Sequence, residues 1–414
     1  MSRFARLAAT TALALGMIAG VVEAAPVKVG FFTPMSGPLA GIGATYKPTI
    51  DYVVGAFNAA GGWNGEKVQV DIYDDAGTTQ GSADRMKQAL ADGVRIIVAG
   101  GTSPLGAQNL ADIRRWNERN PNDPAMLLVV GAEGSNFIGK DCYFYSFHFT
   151  TTPFIRQAAL AKAMKEKGAL GAKVMSLQPD YTMGREMEQA TIDYAKEFGY
   201  EVVGTLRHDL FKIRDFSPFI EKVRAANPDT VFTASSQSDL LLILQAASST
   251  GLKSKFAGMF LDEPGNVASA GKAALGNYTA QIFNAEAGGA AGEAYRAEFA
   301  KIAGRDPLAF ANNSVITLKM LTAALKSLPK ADKVDVTKLS AALETVKVEW
   351  PLGELSMRAA DHQLQLPLVI SIVAEDAKYK ADGTSMGFKP VKVLSAKETE
   401  TAVDETCKMA RPTN

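Results

Sequence analysis

The sequence predicts an α/β protein of two doubly wound parallel-sheet lobes joined by a hinge that the chain crosses more than once. Three observations carry this. Short apolar runs alternate with amphipathic helical patterns, which gives parallel sheets with right-handed crossovers. The alternation runs once to about Phe149 and restarts at about Pro153. The chain of 414 residues is also too long for one ordinary core and suits two domains of ~150–200 residues.

The first run opens with the apolar strand Val27 to Phe32. Ile50, Val53, Val54 and Phe57 then recur at helical spacing, with Pro48 in the first turn and Gly61-Gly62 as the stop. Val68, Val70 and Ile72 alternate as a strand ending at Asp74-Asp75, and a helix spans Thr79 to Asp92. A buried strand (Val94 to Ala99), a helix (Leu105 to Glu118), a strand (Met126 to Val130) and a strand-like aromatic run (Tyr143 to Phe149) complete it. The second run reads as helix Pro153 to Lys167, strand Lys173 to Leu177, helix Gly184 to Phe198 and strand Glu201 to Leu206. A helix at Pro218 to Ala226, strand Thr230 to Ala234, helix Asp239 to Thr250 and strand Phe256 to Phe260 follow. The remaining pieces are a strand at Tyr278 to Asn284, helices at Glu293 to Ala303 and Ala309 to Leu328, and strands at Gly353 to Met357 and Leu366 to Val373. They are too few for a third doubly wound unit, so they are expected to complete the first two. The expected division is residues 25–147 with about 278–352 in the first lobe, 148–277 with about 353–405 in the second, and a tail at 406–414.

Residues 1–24 read as a cleavable export signal. Arg3 and Arg6 precede the almost wholly apolar, uncharged stretch Leu7 to Val22, and Val22-Glu23-Ala24 sets a cut before Ala25. The stretch is short of the roughly 20 residues a membrane span needs. Lys+Arg and Asp+Glu balance at 44 each, which leaves no electrostatic footprint for nucleic acid. The two cysteines, Cys142 and Cys407, can pair in an oxidising compartment, where a disulfide would pin the tail to the first half; two separate buried thiols are the alternative. No metal site is expected, because His148, His208 and His362 are scattered. No catalytic residues are assigned. There is no nucleophile elbow, zincin motif or P-loop, and His148 is the one histidine near a candidate loop. No cofactor is expected, since the Gly spacing from Ser36 to Gly43 is not a dinucleotide fingerprint.

Doubly wound sheets bind ligands at the carboxyl ends of their strands, so those loops hold the candidates. Gly100-Gly101-Thr102-Ser103-Pro104 offers two hydroxyls and free N–H groups at a helix start, suited to a carboxylate, beside its ordinary capping role. In Gly131-Ala132-Glu133-Gly134-Ser135, Glu133 either takes a ligand ammonium or amide or caps the next turn. Tyr181 could close over a ligand, or its loop is a surface turn. Ser236, Gln237 and Asp262 end later strands of the second run, and Asp262 is a candidate counter-charge for a cation.

Several segments resemble the periplasmic solute-binding proteins of ABC importers for branched-chain amino acids, amides and related solutes. These are Val27-Lys28-Val29-Gly30 with Pro34-Met35-Ser36-Gly37-Pro38, Phe57-Asn58-Ala59-Ala60-Gly61-Gly62-Trp63-Asn64-Gly65, Asp74-Asp75, Gly93-Val94 leading to Gly100-Gly101-Thr102-Ser103, Asp180-Tyr181-Thr182-Met183-Gly184, Asp215-Phe216-Ser217, Pro228-Asp229 and Gly251-Leu252-Lys253. The resemblance implies a type I binding-protein fold with one small-molecule ligand in the inter-lobe cleft. By motif it places ligand contacts on Thr102, Ser103, Ala132, Glu133, Tyr181, Ser236, Gln237 and Asp262. It implies a monomer in the periplasm that hands its ligand to membrane permease subunits; the alternative is an exported sensor signalling through a membrane partner. The chain departs from the family in two places. Tyr145 to Thr150 lacks the arginine of the usual Phe-Arg-Thr, and Glu133 replaces a small hydroxyl residue. Both alter the charge of the cleft, which leaves amino acids, amides, urea-like solutes and aromatic acids as ligand classes.

Overall fold

The computed structural model describes residues 26–307 and 309–412. The expected signal segment, residues 1–24, lies outside them. The first sheet is all parallel and holds β1 (Val27–Thr33), β2 (Val68–Asp74), β3 (Ile96–Ala99), β4 (Met126–Val129) and β5 (Ser146–His148), in the order β2-β1-β3-β4-β5. β3 and β4 are buried along their whole length, as strands covered by helices on both faces must be. The second run gives β6 (Lys173–Pro179), β7 (Glu201–His208), β8 (Thr230–Thr233), β9 (Lys255–Gly258) and β10 (Tyr278–Gln281), parallel in the order β7-β6-β8-β9-β10.

Three later strands, β11 (Lys347–Trp350), β12 (Gly353–Met357) and β13 (Leu364–Gln365), form a small antiparallel sheet of their own. β14 (Leu368–Ala374) and β15 (Gly387–Leu394) extend the second sheet antiparallel beyond β10.

Pairing corrects the expected division at two points. β10, assigned to the first lobe, is hydrogen-bonded between β9 and β14 of the second sheet. β12, assigned to the second lobe, pairs with β11 instead, and β13 pairs with β12. A strand's sequence shows that it is buried but not which edge it joins. The helices Gly289–Ala303 and Phe310–Ser327 pack on the helix Lys47–Ala59 of the first lobe. The chain therefore crosses between lobes after β5, after β10 and before β14.

The order in each sheet reverses once: β1 sits beside β3, and β6 beside β8. At such a switch point the loops leaving the two strands diverge to opposite faces and leave a crevice, where doubly wound folds bind ligands. The loops there follow β1, β3, β6 and β8. They include Thr102-Ser103, Tyr181 and Ser236.

The floor of the first lobe's crevice depends on close backbone approach. A Cβ on Gly131 would stand 2.6 Å from the carbonyl oxygen of Gly100. Gly131→Ala is therefore expected to force the β3 and β4 loops apart and cost about 1–3 kcal/mol, read by urea unfolding.

Candidate functional site

The loops of the two lobes face each other around a cavity of about 30 Å³. A single water needs roughly 10–15 Å³ by the same measure, so the cleft is shut around very little space.

From the first lobe, Gly100, Gly101, Thr102 and Ser103 reach the cavity. The helix here begins at Ser103, two residues before its apolar pattern, with Thr102 as N-cap and Pro104 in the first turn. Thr102 makes no side-chain cap bond, which leaves its hydroxyl free at the positive end of the helix. Ser103 Oγ accepts from the backbone N–H of Gly134 at 3.2 Å, so it ties the β4 loop to the helix start and keeps its own proton to donate. The Tyr46 hydroxyl donates to Gly100 O at 3.2 Å and fixes the loop from beneath.

From the second lobe come Tyr181, Ser236 and Glu263. Glu263 Oε2 accepts from the Gln237 backbone N–H at 3.0 Å and from Asn266 Nδ2 at 3.2 Å. Its Oε1 is buried without a partner. Burial pushes this carboxyl up to about 8, against the bonds from Gln237 and Asn266. Tyr181 is half-buried, its hydroxyl bonded only to the weak acceptor Met183 Sδ at 3.6 Å, and burial raises its phenol above the ordinary value. The loop bearing Ser236 is braced by its neighbour Ser235, whose Oγ meets His208 Nε2 at 2.9 Å and accepts from Thr233 at 3.0 Å. Leu39, Ile42, Phe211, Phe260 and Phe310 supply an apolar wall.

The structure thus brings together Thr102, Ser103, Tyr181 and Ser236 of the expected set. Gln237 reaches the site through its backbone N–H, in a left-handed conformation (φ 47°) that points the N–H at Glu263. Ala132 is fully buried, and its carbonyl oxygen accepts from His148 Nε2 at 2.8 Å. His148, bonded also to Gln363, is thereby a buried structural residue.

Asp262 is not in the cavity wall. It is buried with Gln281 Nε2 at 3.4 Å, and burial raises its carboxyl to about 6. The acid lining the cavity is Glu263, one position along from the expected residue; two adjacent acids at a strand end carry no mark of which one turns inward. The apolar wall was missed, because its members come from four distant segments.

Glu133 has a partner within the protein. It lies outside the cavity wall, and its Oε1 accepts from Thr150 Oγ1 and Arg156 Nη2, both at 2.8 Å. Arg156 sits at the start of the helix Pro153–Glu166 and also donates from Nε to Thr151 Oγ1 at 2.6 Å and from Nη1 to Ala280 O at 2.5 Å. Burial raises the Glu133 carboxyl while the guanidinium opposes the shift. Arg156 thus offsets the charge of Glu133 inside the protein, while Glu133 Oε2 stays buried without a partner.

Cys142 Sγ and Cys407 Sγ stand at bonding distance, 2.10 Å. Among the described residues no cluster of His, Cys, Asp or Glu could hold a metal, and no helix is long and apolar enough to cross a membrane.

Residues 26–378 match the family model described as periplasmic binding protein. The chain belongs to the periplasmic binding protein family. In this family it is 42% identical over 405 residues to the Leu/Ile/Val-binding protein homolog 4 of Brucella abortus, covering 98% of this chain and 97% of that one. It is also 42% identical to the leucine-, isoleucine-, valine-, threonine- and alanine-binding protein of Brucella ovis in its closed conformation, with a TM-score of 0.90 over 94% of this chain and 100% of that one. A solute-binding protein of an ABC transporter from Rhodopseudomonas palustris, solved with 3,4-dihydroxybenzoic acid, has the same fold at 23% identity, with a TM-score of 0.75 over 90% of this chain and 98% of that one. The periplasmic binding protein described here is thus a type I member with two doubly wound lobes and a solute-binding role.

Proposed function

We propose that this protein is the periplasmic receptor of an ABC importer for small aliphatic amino acids, that it acts as a monomer, and that it hands its ligand to membrane permease subunits. One observation carries the ligand class. A free hydroxyl at a helix N-terminus on one lobe faces a carboxylate with an unpartnered oxygen on the other, with an apolar wall beside both. The first suits an α-carboxylate, the second an α-ammonium, and the wall an aliphatic side chain. The Brucella ovis relative, named for leucine, isoleucine, valine, threonine and alanine, supports the same class. The N-terminal export pattern in the sequence supports the periplasmic location.

Calorimetry with leucine, leucinamide, N-acetyl-leucine and 4-hydroxybenzoate tests this reading. Leucine is expected to bind and the two blocked forms to fail. Tight binding of 4-hydroxybenzoate with none of leucine would overturn it. The double variant Thr102→Ala/Ser103→Ala is expected to bind leucine at least about ten-fold more weakly, since a hydrogen bond to a charged group contributes roughly 1.5–3 kcal/mol. Urea unfolding of the same variant separates that loss from the broken Gly134 tie.

A further inference from the structure

We propose that the segment Ser395–Arg411, anchored by Cys142–Cys407, is a strap across the hinge that restrains lobe opening and so raises affinity for the solute. This rests on the reading of the cleft as the solute site.

The strap begins on the second lobe. It leaves β15 at Leu394, and Ser395 caps a short turn with Glu398. Glu398 pairs with Lys162 at 3.1 Å, on the helix that packs against β10, β14 and β15 of the second sheet. Thr399 Oγ1 donates to Leu366 O at 2.6 Å, at the entry to β14. Eight residues later it is bonded to the first lobe. Cys407 joins Cys142, just before β5. Arg411 donates to both carboxylate oxygens of Glu344, at 2.7 and 3.0 Å, at the end of the helix Val336–Leu343, which packs on Phe310–Ser327. Midway, the carbonyl of Thr401 accepts from Arg358, which Asp361 holds at 2.6 Å beside the hinge crossing where His362 O accepts from His148 N–H.

The segment is therefore a fourth link between lobes that the chain already joins three times, and the only one among them closed by a side-chain covalent bond. Its span from Ala402 to Thr406 is exposed, so its role is a tether and not a packed core. All of its end contacts are made in the arrangement with the shut cleft. A tether that fits this arrangement removes wide-open geometries from the ligand-free ensemble. A larger closed-competent fraction lowers the apparent Kd in proportion.

The test compares three mature proteins: the natural chain, Cys142→Ser/Cys407→Ser, and a chain with four Gly/Ser residues inserted between Ala402 and Val403. The insertion keeps the disulfide and both anchors but adds slack. Small-angle scattering without ligand needs no assumption about the solute, and leucine affinity is read by calorimetry. The expected result is a larger ligand-free radius of gyration for both variants, an unchanged leucine-bound radius, and leucine affinity reduced about three-fold or more. If the disulfide variant only melts earlier while the slack variant keeps the natural ligand-free radius and affinity, the segment is a stability staple and the proposal fails. If no chain binds leucine, the ligand reading fails, and the ligand-free radii still decide the strap.

Discussion

Glu263→Gln is expected to weaken leucine binding by about 10- to 150-fold, the equivalent of losing a charge-assisted hydrogen bond of roughly 1.5–3 kcal/mol. Asp262→Asn, one residue away, should change affinity little, because Asp262 does not line the cavity and meets Gln281 instead. The pH dependence is the sharper check. In the empty cleft the Glu263 carboxyl titrates at about 8, so at neutral pH it is largely protonated. An ammonium ligand needs it ionised. Binding then expels a proton, and affinity should rise from pH 6 toward pH 8 by up to about ten-fold per unit. A carboxylate-only ligand would prefer the protonated acid and show the opposite slope. Stability of the empty protein runs the other way. A carboxyl raised from 4.5 to about 8 on folding binds its proton more tightly in the folded state. Its contribution is fully present below the unfolded value and is lost as pH rises through about 8. Calorimetry in two buffers of different ionisation enthalpy would measure the expelled proton directly; no proton release on leucine binding would count against this role.

Arg156→Ala is expected to be the most destabilising single change, at about 3–5 kcal/mol by urea unfolding. It strands Glu133 as an uncompensated buried charge and strips donors from Thr151 and Ala280. Removing both charges should recover much of the loss, because the desolvation cost of the pair disappears with them. The comparison is therefore Arg156→Met against Arg156→Met/Glu133→Gln. The double variant should be clearly more stable than the single one; equal stabilities would mean that the ion pair is not what holds Glu133 in place. Leucine affinity separates this from a ligand role. Glu133→Gln alone should leave binding far less changed than Glu263→Gln does.

The two-lobe α/β class was legible in the sequence because it rests on local periodicity. Buried parallel strands must be apolar on both faces, and the helices covering them must be amphipathic, whatever surrounds them. Helix Lys47–Ala59 and strand β3 illustrate this: each shows its pattern within a dozen residues. The loops after β3, β6 and β8 were legible for a related reason. Strand polarity alone says which end of a doubly wound sheet binds, so Thr102, Ser103, Tyr181 and Ser236 could be named from chain order.

Choices among neighbours and partners could be made only by the folded chain. Asp262 and Glu263 are equivalent acids in one loop, and the backbone N–H of Gln237 with Asn266 turns the second one inward. Glu133 read as a ligand group because its partner, Arg156, lies 23 residues on, beyond the lobe crossing, and meets it only in the folded chain. β10 read as part of the first lobe because hydrogen-bond partners along a sheet edge leave no trace in a strand's own residues. Periodicity is written locally and survives in the sequence, whereas pairing, burial of charge and the facing of side chains are properties of the space between distant segments.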